Sequence, residues 1–347
     1  MSIWRMPRGS LTEAPAVCIL AGSEFYKTAE RKQVMGKTKI LVVGSMNMDL
    51  FVEGANQIPK FGESTICGRY GYATGGKGAN QAIAAALQGA DVTMAGRLGD
   101  DDYGRSLKQE FEKTGVHTDY IVTDKETQTG LALMLVNEDG RYVSYSCLGA
   151  NGNLCAEDVA AALDAEHFDM VIMQLEMPLE TVYRTYELAR ERDIPVFLDA
   201  GPAMKIPLKR LQGLYILSPN EAETEALTGI NPDTEVKAVE AARQLYEAAR
   251  PEYVILKLGS RGALLYDGKE TELIPCFKVK AIDSTAAGDT FGAALAIRLC
   301  KGDEMKQAIR FAHAAAGICV SRMGAQISIP NEGEVIEFLK KAGEEIG

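Results

Sequence analysis

Short apolar runs rich in β-branched residues alternate along the chain with longer amphipathic runs rich in alanine. KILVVGS at 39–45 and YVILKLGS at 253–260 are typical of buried strands, whereas ANQAIAAALQGA at 79–90 is typical of a helix. This alternation is the βαβ rhythm of a parallel sheet covered by helices. Because crossovers between parallel strands are right-handed, it predicts an α/β fold with a doubly wound, mostly parallel sheet and helices on both faces.

Two segments, at about 50–73 and 129–148, break this rhythm. Both alternate apolar and polar residues, and the second contains a turn signal at Asn137–Gly140. This pattern is typical of antiparallel strands. Together the segments predict a small antiparallel β sheet that projects from the main domain.

Residues 1–37 precede the first strand pattern. They contain the apolar run APAVCILAG, which follows Arg5 and Arg8 as in a signal peptide but is interrupted by Pro15. We interpret 1–37 as a leader that is expected to be disordered, and 38–347 as the folded domain. We also expect the native chain to begin at Met35, because that methionine leads directly into a buried strand.

The composition narrows the function classes. Of 347 residues, 46% are hydrophobic and 24% charged, which is ordinary for a globular chain able to bury a large core. The net charge of −11, without a basic block, argues against binding nucleic acid or an anionic membrane. Seven scattered cysteines form no C-x-x-C pair, which favours the reducing cytoplasm over a disulfide framework or zinc site.

Candidate chemistry lies where strands end, because ligands of open α/β sheets bind beyond the carboxyl ends of the strands. Asn47 and Asp49 end the first strand two residues apart, so an extended chain would point both the same way. They can bind adjacent sugar hydroxyls or act as turn residues. Glu176 and Asp199 end two further buried runs, where a carboxylate must be hydrated, paired or bound to a ligand.

The stretch TGGKGANQ at 74–81 opens the first helix. Its glycines, Gly75, Gly76 and Gly78, allow a ligand to approach the backbone, while Lys77 and Asn80 add hydrogen-bond donors. The spacing fits neither a Walker A loop nor G-x-G-x-x-G. By itself, the stretch indicates either a binding turn or tight packing of a helix.

The stretch SPNEAET at 218–224 predicts a helix start. Ser218 as N-cap, Pro219 at the first helical position and Glu221 predict a capping box. Asn220 and Glu223 are then free to face a magnesium–phosphate assembly.

The run LKLGSRGALL at 256–265 predicts two strands joined by a glycine turn. Backbone amides at Gly259–Gly262 can bind phosphate oxygens, although a plain hairpin turn explains the pattern equally well.

The stretch STAAGD at 284–289 lies between a strand-like run and a helix-like run. Ala286, Ala287 and Gly288 place bare amides at the positive end of a helix, which suits an anion such as a phosphoryl group. Asp289 is then placed to accept a proton from an attacking hydroxyl. The alternative, that Asp289 simply caps the helix, leaves the small residues before it unexplained.

In combination, these motifs resemble those of the ribokinase-like carbohydrate kinases. The resemblance runs from about Lys39 to about Leu339 and keeps the family's order and spacing. Its motifs are GSMNMD, GGKGANQA, GDDDYG, QLEMPLE, PNEAE, LGSRG, DSTAAGDTF, IRFAHAAAG and GAQISIP.

The resemblance implies phosphorylation of a sugar's primary hydroxyl by MgATP, with D-ribose and its 5-hydroxyl as the expected acceptor. It makes Asp289 the catalytic base and Ala286, Ala287 and Gly288 the anion hole. It also implies activation by K⁺ or another monovalent cation, and a homodimer formed through the small sheet, which acts as a lid.

The remaining roles follow residue by residue from the same resemblance. The positions that match sugar contacts are Asn47, Asp49, Gly76, Lys77, Asn80, Glu176 and Asp289. Those that match nucleotide contacts are Asn220, Lys257, Gly259, Ser260, Gly262, Gly288 and His313. Glu223 would act on magnesium through water, and the monovalent-cation loop would comprise Asp283, Thr285, Cys319, Arg322, Gly324 and Ser328.

Two positions depart from the family pattern. The chain has DAGP at 199–202 where N-P-A-P is common, which adds a carboxylate, and Gly292 stands where asparagine is common. These departures leave open a kinase for deoxyribose, another sugar or a nucleoside. A sugar-binding regulator without catalytic activity is a further alternative, against which the intact Asp289, Gly288 and Glu223 argue.

Overall fold

The computed structural model describes residues 36–138 and 142–344, which belong to one compact unit, Val34–Gly347. Apart from Gly36 and Lys37, the proposed leader lies outside the described residues, as does the proposed start at Met35.

Thirteen strands and nine α-helices make up the described part of the chain. The strands are β1 (Lys39–Val43), β2 (Asn47–Glu53), β3 (Tyr70–Gly75), β4 (Asp91–Gly99), β5 (His117–Asp124), β6 (Gly130–Val136), β7 (Tyr142–Cys147), β8 (Met170–Met173), β9 (Val196–Asp199), β10 (Ile216–Ser218), β11 (Tyr253–Lys257), β12 (Ala263–Tyr266) and β13 (Thr271–Ile274). The helices are α1 (Lys77–Leu87), α2 (Asp102–Thr114), α3 (Ala156–Ala165), α4 (Leu179–Arg190), α5 (Glu221–Thr228), α6 (Glu235–Ala249), α7 (Ala287–Cys300), α8 (Met305–Val320) and α9 (Glu332–Ala342).

The main sheet confirms the doubly wound, mostly parallel architecture. Its nine strands lie in the order β13-β12-β11-β10-β9-β8-β1-β4-β5. The pairings from β11 through to β5 are parallel, while β12 and β13 add an antiparallel edge. The carboxyl ends of the parallel strands therefore meet along one edge of the sheet.

Helices cover both faces because the central strands are apolar on both sides. In β1, Ile40 and Val42 enter the core under α1, α7 and α8, whereas Leu41 and Val43 enter the core under α3, α4 and α6. All four side chains are fully buried. Within the described ranges, no helix is both long and apolar enough to cross a membrane.

The small sheet is confirmed, in the order β3-β2-β6-β7. Its outer pairs are antiparallel, as expected, but the central strands β2 and β6 pair in parallel. The sheet also begins at Asn47, earlier than the sequence pattern indicated. One of its faces therefore carries Asn47 and Asp49 into the junction with the main sheet.

The opposite face of this sheet, which we call the outer lid face, is apolar across all four strands. Residues paired in register lie on the same side of a sheet. Two such rows cross the outer lid face: Tyr72, Leu50, Leu133 and Tyr145, and Tyr70, Val52, Leu135 and Val143. At the sheet edges, Tyr70, Tyr72 and Tyr145 are 75%, 66% and 58% exposed.

Candidate active site

The start of α7 has the geometry of an anion-binding site. Ala286 precedes the helix in the left-handed conformation, at φ 61° and ψ 3°. The first bond of the α-helical pattern runs from the Thr290 N–H to the Ala286 carbonyl, 2.8 Å away. The Gly288 and Asp289 N–H groups therefore lie at the open, positive end of the helix, whereas the Ala287 N–H donates to the Ser284 carbonyl at 3.3 Å. Asp289 makes no capping bond, so the reading of this acid as a simple helix cap is wrong.

Asp289 is held by two side-chain amides from α1. Asn80 Nδ2 donates to Asp289 Oδ2 at 2.9 Å, and Gln81 Nε2 lies 3.4 Å from Oδ1. Burial raises the pKa of Asp289 to about 6, against the opposing charge of Lys77 and with added repulsion from Asp199. The carboxylate is thus fixed in orientation and can exchange a proton near neutral pH.

Asn47 and Asp49 open strand β2 of the lid, which corrects the expectation that they end the first strand. Both side chains are buried on the same face, as their spacing predicted. The Asp49 carboxylate lies against Gly75, where a Cβ atom would be only 2.0 Å from Oδ2. Burial, with repulsion from Glu176 and Asp289, raises the pKa of Asp49 to about 7.

Glu176 lies three residues beyond the end of β8, so the expectation that it ends that strand is wrong. Its Oε2 accepts hydrogen bonds from Ser45 Oγ at 2.5 Å and from the Lys77 N–H at 3.5 Å. The carboxylate is nevertheless brought to the first turn of α1, beside the strand ends. It is 9% exposed, so a ligand can still reach it.

Lys77, the first residue of α1, links the two halves of the site. Its Nζ lies 3.9 Å from Glu223 Oε1. Burial would lower the pKa of Lys77, but the carboxylates of Asp289, Asp199, Glu223 and Glu176 outweigh burial and raise it. The ammonium therefore stays charged among these four acids.

The capping box at α5 differs from the one expected. Asn220, not Ser218, is the N-cap, and its side chain accepts from the Glu223 N–H at 2.9 Å. Glu223 completes the box by accepting from the Asn220 N–H at 2.7 Å. Strand β10 continues through Ser218, because that residue still pairs with Asp199 of β9. Asn220 and Glu223 therefore hold each other in place at the site.

The expected nucleotide side begins at β11. Lys257 ends that strand, and its Nζ pairs with Asp199 Oδ1 at 2.7 Å. The predicted hairpin to β12 is confirmed, with a short 3-10 turn at Gly259–Arg261 that leaves Gly259 and Ser260 exposed. Gly262 closes the turn at φ 104°.

His313 lies in α8 as a buried side chain. Its Nε2 lies 3.2 Å from the Ile274 carbonyl, and burial lowers the pKa of His313 to about 4. The neutral imidazole therefore donates to that carbonyl at neutral pH. Its expected contact with nucleotide stays a prediction.

The loop at 282–285 and the segment at 321–328 meet, as the cation-loop prediction requires. Asp283 accepts from the Thr285 N–H at 2.9 Å and from the Gly324 N–H at 3.0 Å. Cys319 Sγ lies 3.1 Å from Ser328 Oγ and 3.6 Å from the Thr285 carbonyl. The Arg322 side chain pairs with Glu334, so only the backbone of Arg322 is left for a cation in this loop.

Several polar residues of the site were not singled out from the sequence. Gln81 follows Asn80 directly and contacts both Asp289 and Asp199. Asn151 donates to Asn47 Oδ1 at 2.8 Å from more than a hundred residues away. Gln81 ends the stretch TGGKGANQ, so its place in that motif could have marked it, whereas no local pattern marks Asn151.

The fold and site together define a phosphotransferase of the carbohydrate kinase class. The model of the pfkB family of carbohydrate kinases matches residues 37–332, and the chain belongs to this family. It is thus a kinase that acts on an alcohol group of its acceptor.

Individual relatives cover almost the whole described chain. A ribokinase of Haemophilus influenzae is 37% identical over 310 residues, which make up 89% of this chain and 100% of the relative. A deoxyribokinase of Salmonella typhi is 33% identical over 302 residues, 86% of this chain and 98% of the relative. The structure of Arabidopsis thaliana ribokinase complexed with ribose and ATP matches with a TM-score of 0.80 at 31% identity, over 88% of this chain and 99% of that one.

Proposed function

We propose that this kinase transfers the γ-phosphoryl group of MgATP to the 5-hydroxyl of D-ribose, with Asp289 as the catalytic base. The observation that carries the proposal is the position of Asp289, buried in the first turn of α7 and held by Asn80. It interacts with Asp49 of the lid, and Gln81 links it to Asp199 at the end of β9. The similarity to ribokinases, one of them bound to ribose and ATP, supports the choice of sugar.

The sugar would bind between Asn47, Asp49 and Glu176, whose oxygens accept hydrogen bonds from hydroxyls. Gly76, Lys77 and Asn80 would complete its contacts at the start of α1. Asp289 would accept the proton of the attacking hydroxyl as phosphoryl transfer proceeds. Closing the lid would exclude water and suppress ATP hydrolysis.

The phosphoryl group would lie on the amides of Ala286, Ala287 and Gly288. The positive end of α7 would stabilise the negative charge that develops on its oxygens. Such electrostatic stabilisation supplies the larger share of catalysis in phosphoryl transfer. Asn220, Lys257, the exposed turn at Gly259–Gly262, and His313 would contact the rest of the nucleotide.

The charge balance of the site fits a nucleotide that arrives with magnesium. Among the described residues of the site, five acidic side chains surround only two ammonium groups. The acids are Asp49, Glu176, Asp199, Glu223 and Asp289, and the ammonium groups belong to Lys77 and Lys257. A polyphosphate alone would be repelled, whereas Mg²⁺ would neutralise its charge. Glu223 would hold that ion through water, since its carboxylate is fixed by Asn220.

The two joined loops fit a monovalent cation such as K⁺, which prefers carbonyl and carboxylate oxygens. Asp283 and Ser328 are polar, and Thr285 offers a carbonyl beside Cys319. The backbone at Arg322 and Gly324 would contribute the remaining carbonyls. A cation there would brace the loop that leads into the anion hole.

We further propose that 38–347 form one catalytic domain that includes the lid. Two copies would associate through the outer lid face as a homodimer. The cytoplasm is the proposed location, because the cysteines are scattered and a kinase needs cytoplasmic ATP.

A coupled assay of ADP release over pentoses, deoxyribose, hexoses and nucleosides, with and without potassium, tests the proposal. We expect D-ribose to give the highest kcat/KM, with stimulation by K⁺. A clear preference for deoxyribose would show that deoxyribose, not ribose, is the substrate. The similarity to a deoxyribokinase makes this the leading alternative. Binding of a sugar without turnover would favour the regulator.

A further inference from the structure

Asp199 is a buried carboxylate at a position where the family pattern commonly has asparagine. It ends β9 in the middle of the main sheet and is fully buried. A buried carboxylate is costly unless it is paired and hydrogen-bonded. Asp199 has two such partners: Lys257 Nζ at 2.7 Å from Oδ1, and Gln81 Nε2 at 2.8 Å from Oδ2.

Gln81 joins Asp199 to the proposed base. Its Oε1 accepts from Gln174 Nε2 at 2.6 Å, which orients the amide so that the NH₂ group faces the two carboxylates. One N–H then bonds to Asp199 and the other points at Asp289 Oδ1, 3.4 Å away. A single amide thus holds two acids at a fixed separation.

Lys257 joins Asp199 to the anion hole. Its Nζ lies 3.7 Å from the position that a Cβ atom would take at Gly288. It is also 4.0 Å from Glu223 Oε2. The ammonium that Asp199 holds is therefore beside the backbone where the phosphoryl group would bind.

We propose that Asp199 is a positioning residue. It holds the Lys257 ammonium beside the proposed phosphoryl site and the Gln81 amide beside the proposed base. One buried carboxylate therefore aligns the two. The inference rests on the proposed function of Asp289 and of the anion hole. It assigns a role to the carboxylate in DAGP at 199–202, which the resemblance left without one.

Asp199→Asn separates this role from folding, because asparagine keeps the shape and can still bond to Gln81. The freed Lys257 side chain would swing away from the anion hole. We expect kcat to fall about 10- to 100-fold while KM for the sugar stays near its original value. Lys257→Met should have a similar effect, and the double variant should be no worse than either single variant.

The pH dependence gives opposite signs for two variants. Asp199→Asn removes a negative charge that raises the pKa of Asp289, and this effect is larger than that of the Lys257 charge, so the acid limb of kcat/KM should move to lower pH. Gln81→Met removes a donor to the Asp289 carboxylate, so the limb should move to higher pH. The other charged groups around Asp289 are unchanged in both variants: Asp49, Lys77, Glu176 and Glu223.

The decisive experiment measures kcat, KM, the pH profile and the melting temperature of these variants beside Asp158→Asn. That control removes a carboxylate from the partly buried pair with Arg97, which is remote from the base. Opposite pH shifts with non-additive losses of kcat support the proposal. Shifts of one sign, or losses of kcat that follow the melting temperature in all variants, overturn it.

A second readout does not require turnover. The Asp289 carboxyl can be titrated by ¹³C NMR in the wild type, Asp199→Asn and Gln81→Met. A wild type inactive on every sugar would defeat the proposed function, yet opposite shifts of this titration would still support the positioning role. Unchanged titrations in both variants would overturn the positioning role even if the kinase is active.

Discussion

At the scale of single residues, the site is governed by an excess of buried negative charge. Asp49 and Asp289 repel each other, and burial adds to the cost of ionising both. Lys77 and Lys257 compensate only in part, so the pKa of Glu223 is raised as well, by burial and by Asp199 against the pull of Lys257. The protonation of the acids should therefore respond to substrate and to metal.

Asp289→Asn should lower kcat by roughly 100-fold or more, because an amide cannot accept the hydroxyl proton. Sugar binding should stay nearly intact, since Asn47, Asp49 and Glu176 are untouched. Steady-state kinetics and calorimetric titration with the sugar check both parts. Asp303→Asn, which removes a carboxylate paired with Arg298, is the matched control. Turnover like that of the wild type in Asp289→Asn would contradict its role as base.

The kcat/KM for the sugar should fall as the pH drops through the range from about 7 to about 6. Both raised pKa values belong to acids, so each group gains a proton in that range and Asp289 loses its capacity as a base. Because the Asp49 and Asp289 carboxyl groups interact, the acid limb of the pH profile reflects the titration of both groups together. Asp49→Asn removes one of the charges and should move the limb to lower pH. A flat profile down to pH about 5 would rule out this assignment.

At the scale of elements, the start of α7 combines a helix end with a left-handed residue. Ala286 adopts φ 61°, a conformation that costs a non-glycine residue roughly 1 kcal/mol or more. That geometry turns the chain so that Gly288 is exposed while Asp289 is buried. The proposed anion hole and the proposed base thus come from consecutive residues of one turn.

Gly288→Ala should impair catalysis without impairing folding. A Cβ atom at Gly288 would meet only Lys257 Nζ at an ordinary 3.7 Å, so the fold has room for it. The methyl group would, however, occupy space in front of the amides that the phosphoryl group needs. We expect kcat to fall at least about 10-fold with an unchanged melting temperature. Gly152→Ala, whose Cβ would lie 3.5 Å from Leu148, is the control, and an unimpaired Gly288→Ala would argue against this anion hole.

At the scale of the whole molecule, the lid has one polar face and one apolar face. The polar face carries the buried Asn47 and Asp49, while the outer lid face exposes tyrosines from both edge strands. An exposed apolar surface of this kind is typical of a binding interface. Association there would also brace the strands that carry Asp49.

Introducing charge on the outer lid face should dissociate the proposed dimer. The double variant Tyr72→Asp/Tyr145→Asp should elute as a monomer in size-exclusion chromatography with light scattering, because buried carboxylates would be left unpaired. Tyr103→Asp, at an exposed position of α2, should keep the oligomeric state of the wild type. A monomeric wild type, or a double variant that stays dimeric, would refute association through this face.

Much of the fold was predictable because its signals are local. The buried strands and the helices α1, α2, α4 and α5 follow from periodicity and from turn residues that act within a few positions. The helix start at Ala286–Asp289 was also predictable, since a turn of small residues and a helix are consecutive in the chain.

Errors arose where pairing between distant strands set a boundary. Ser218 looked like an N-cap, but its pairing with Asp199 keeps it in β10 and moves the cap to Asn220. Asn47 looked like the end of the first strand, but its pairing with Gly75 and Gly130 starts a new one. Local propensity could not foresee these pairings.

The sequence by itself determined the class of fold, the turn of small residues that ends in Asp289, and the motifs proposed to bind the sugar, because each depends on neighbours along the chain. Only the tertiary structure decided which charges meet. Asn80 reaches Asp289 across 209 positions, and Lys257 reaches Asp199 across 58. Such pairs depend on which strands lie side by side and on how deeply the side chains are buried. These two factors raise the pKa of Asp289 and gave Asp199 its partners.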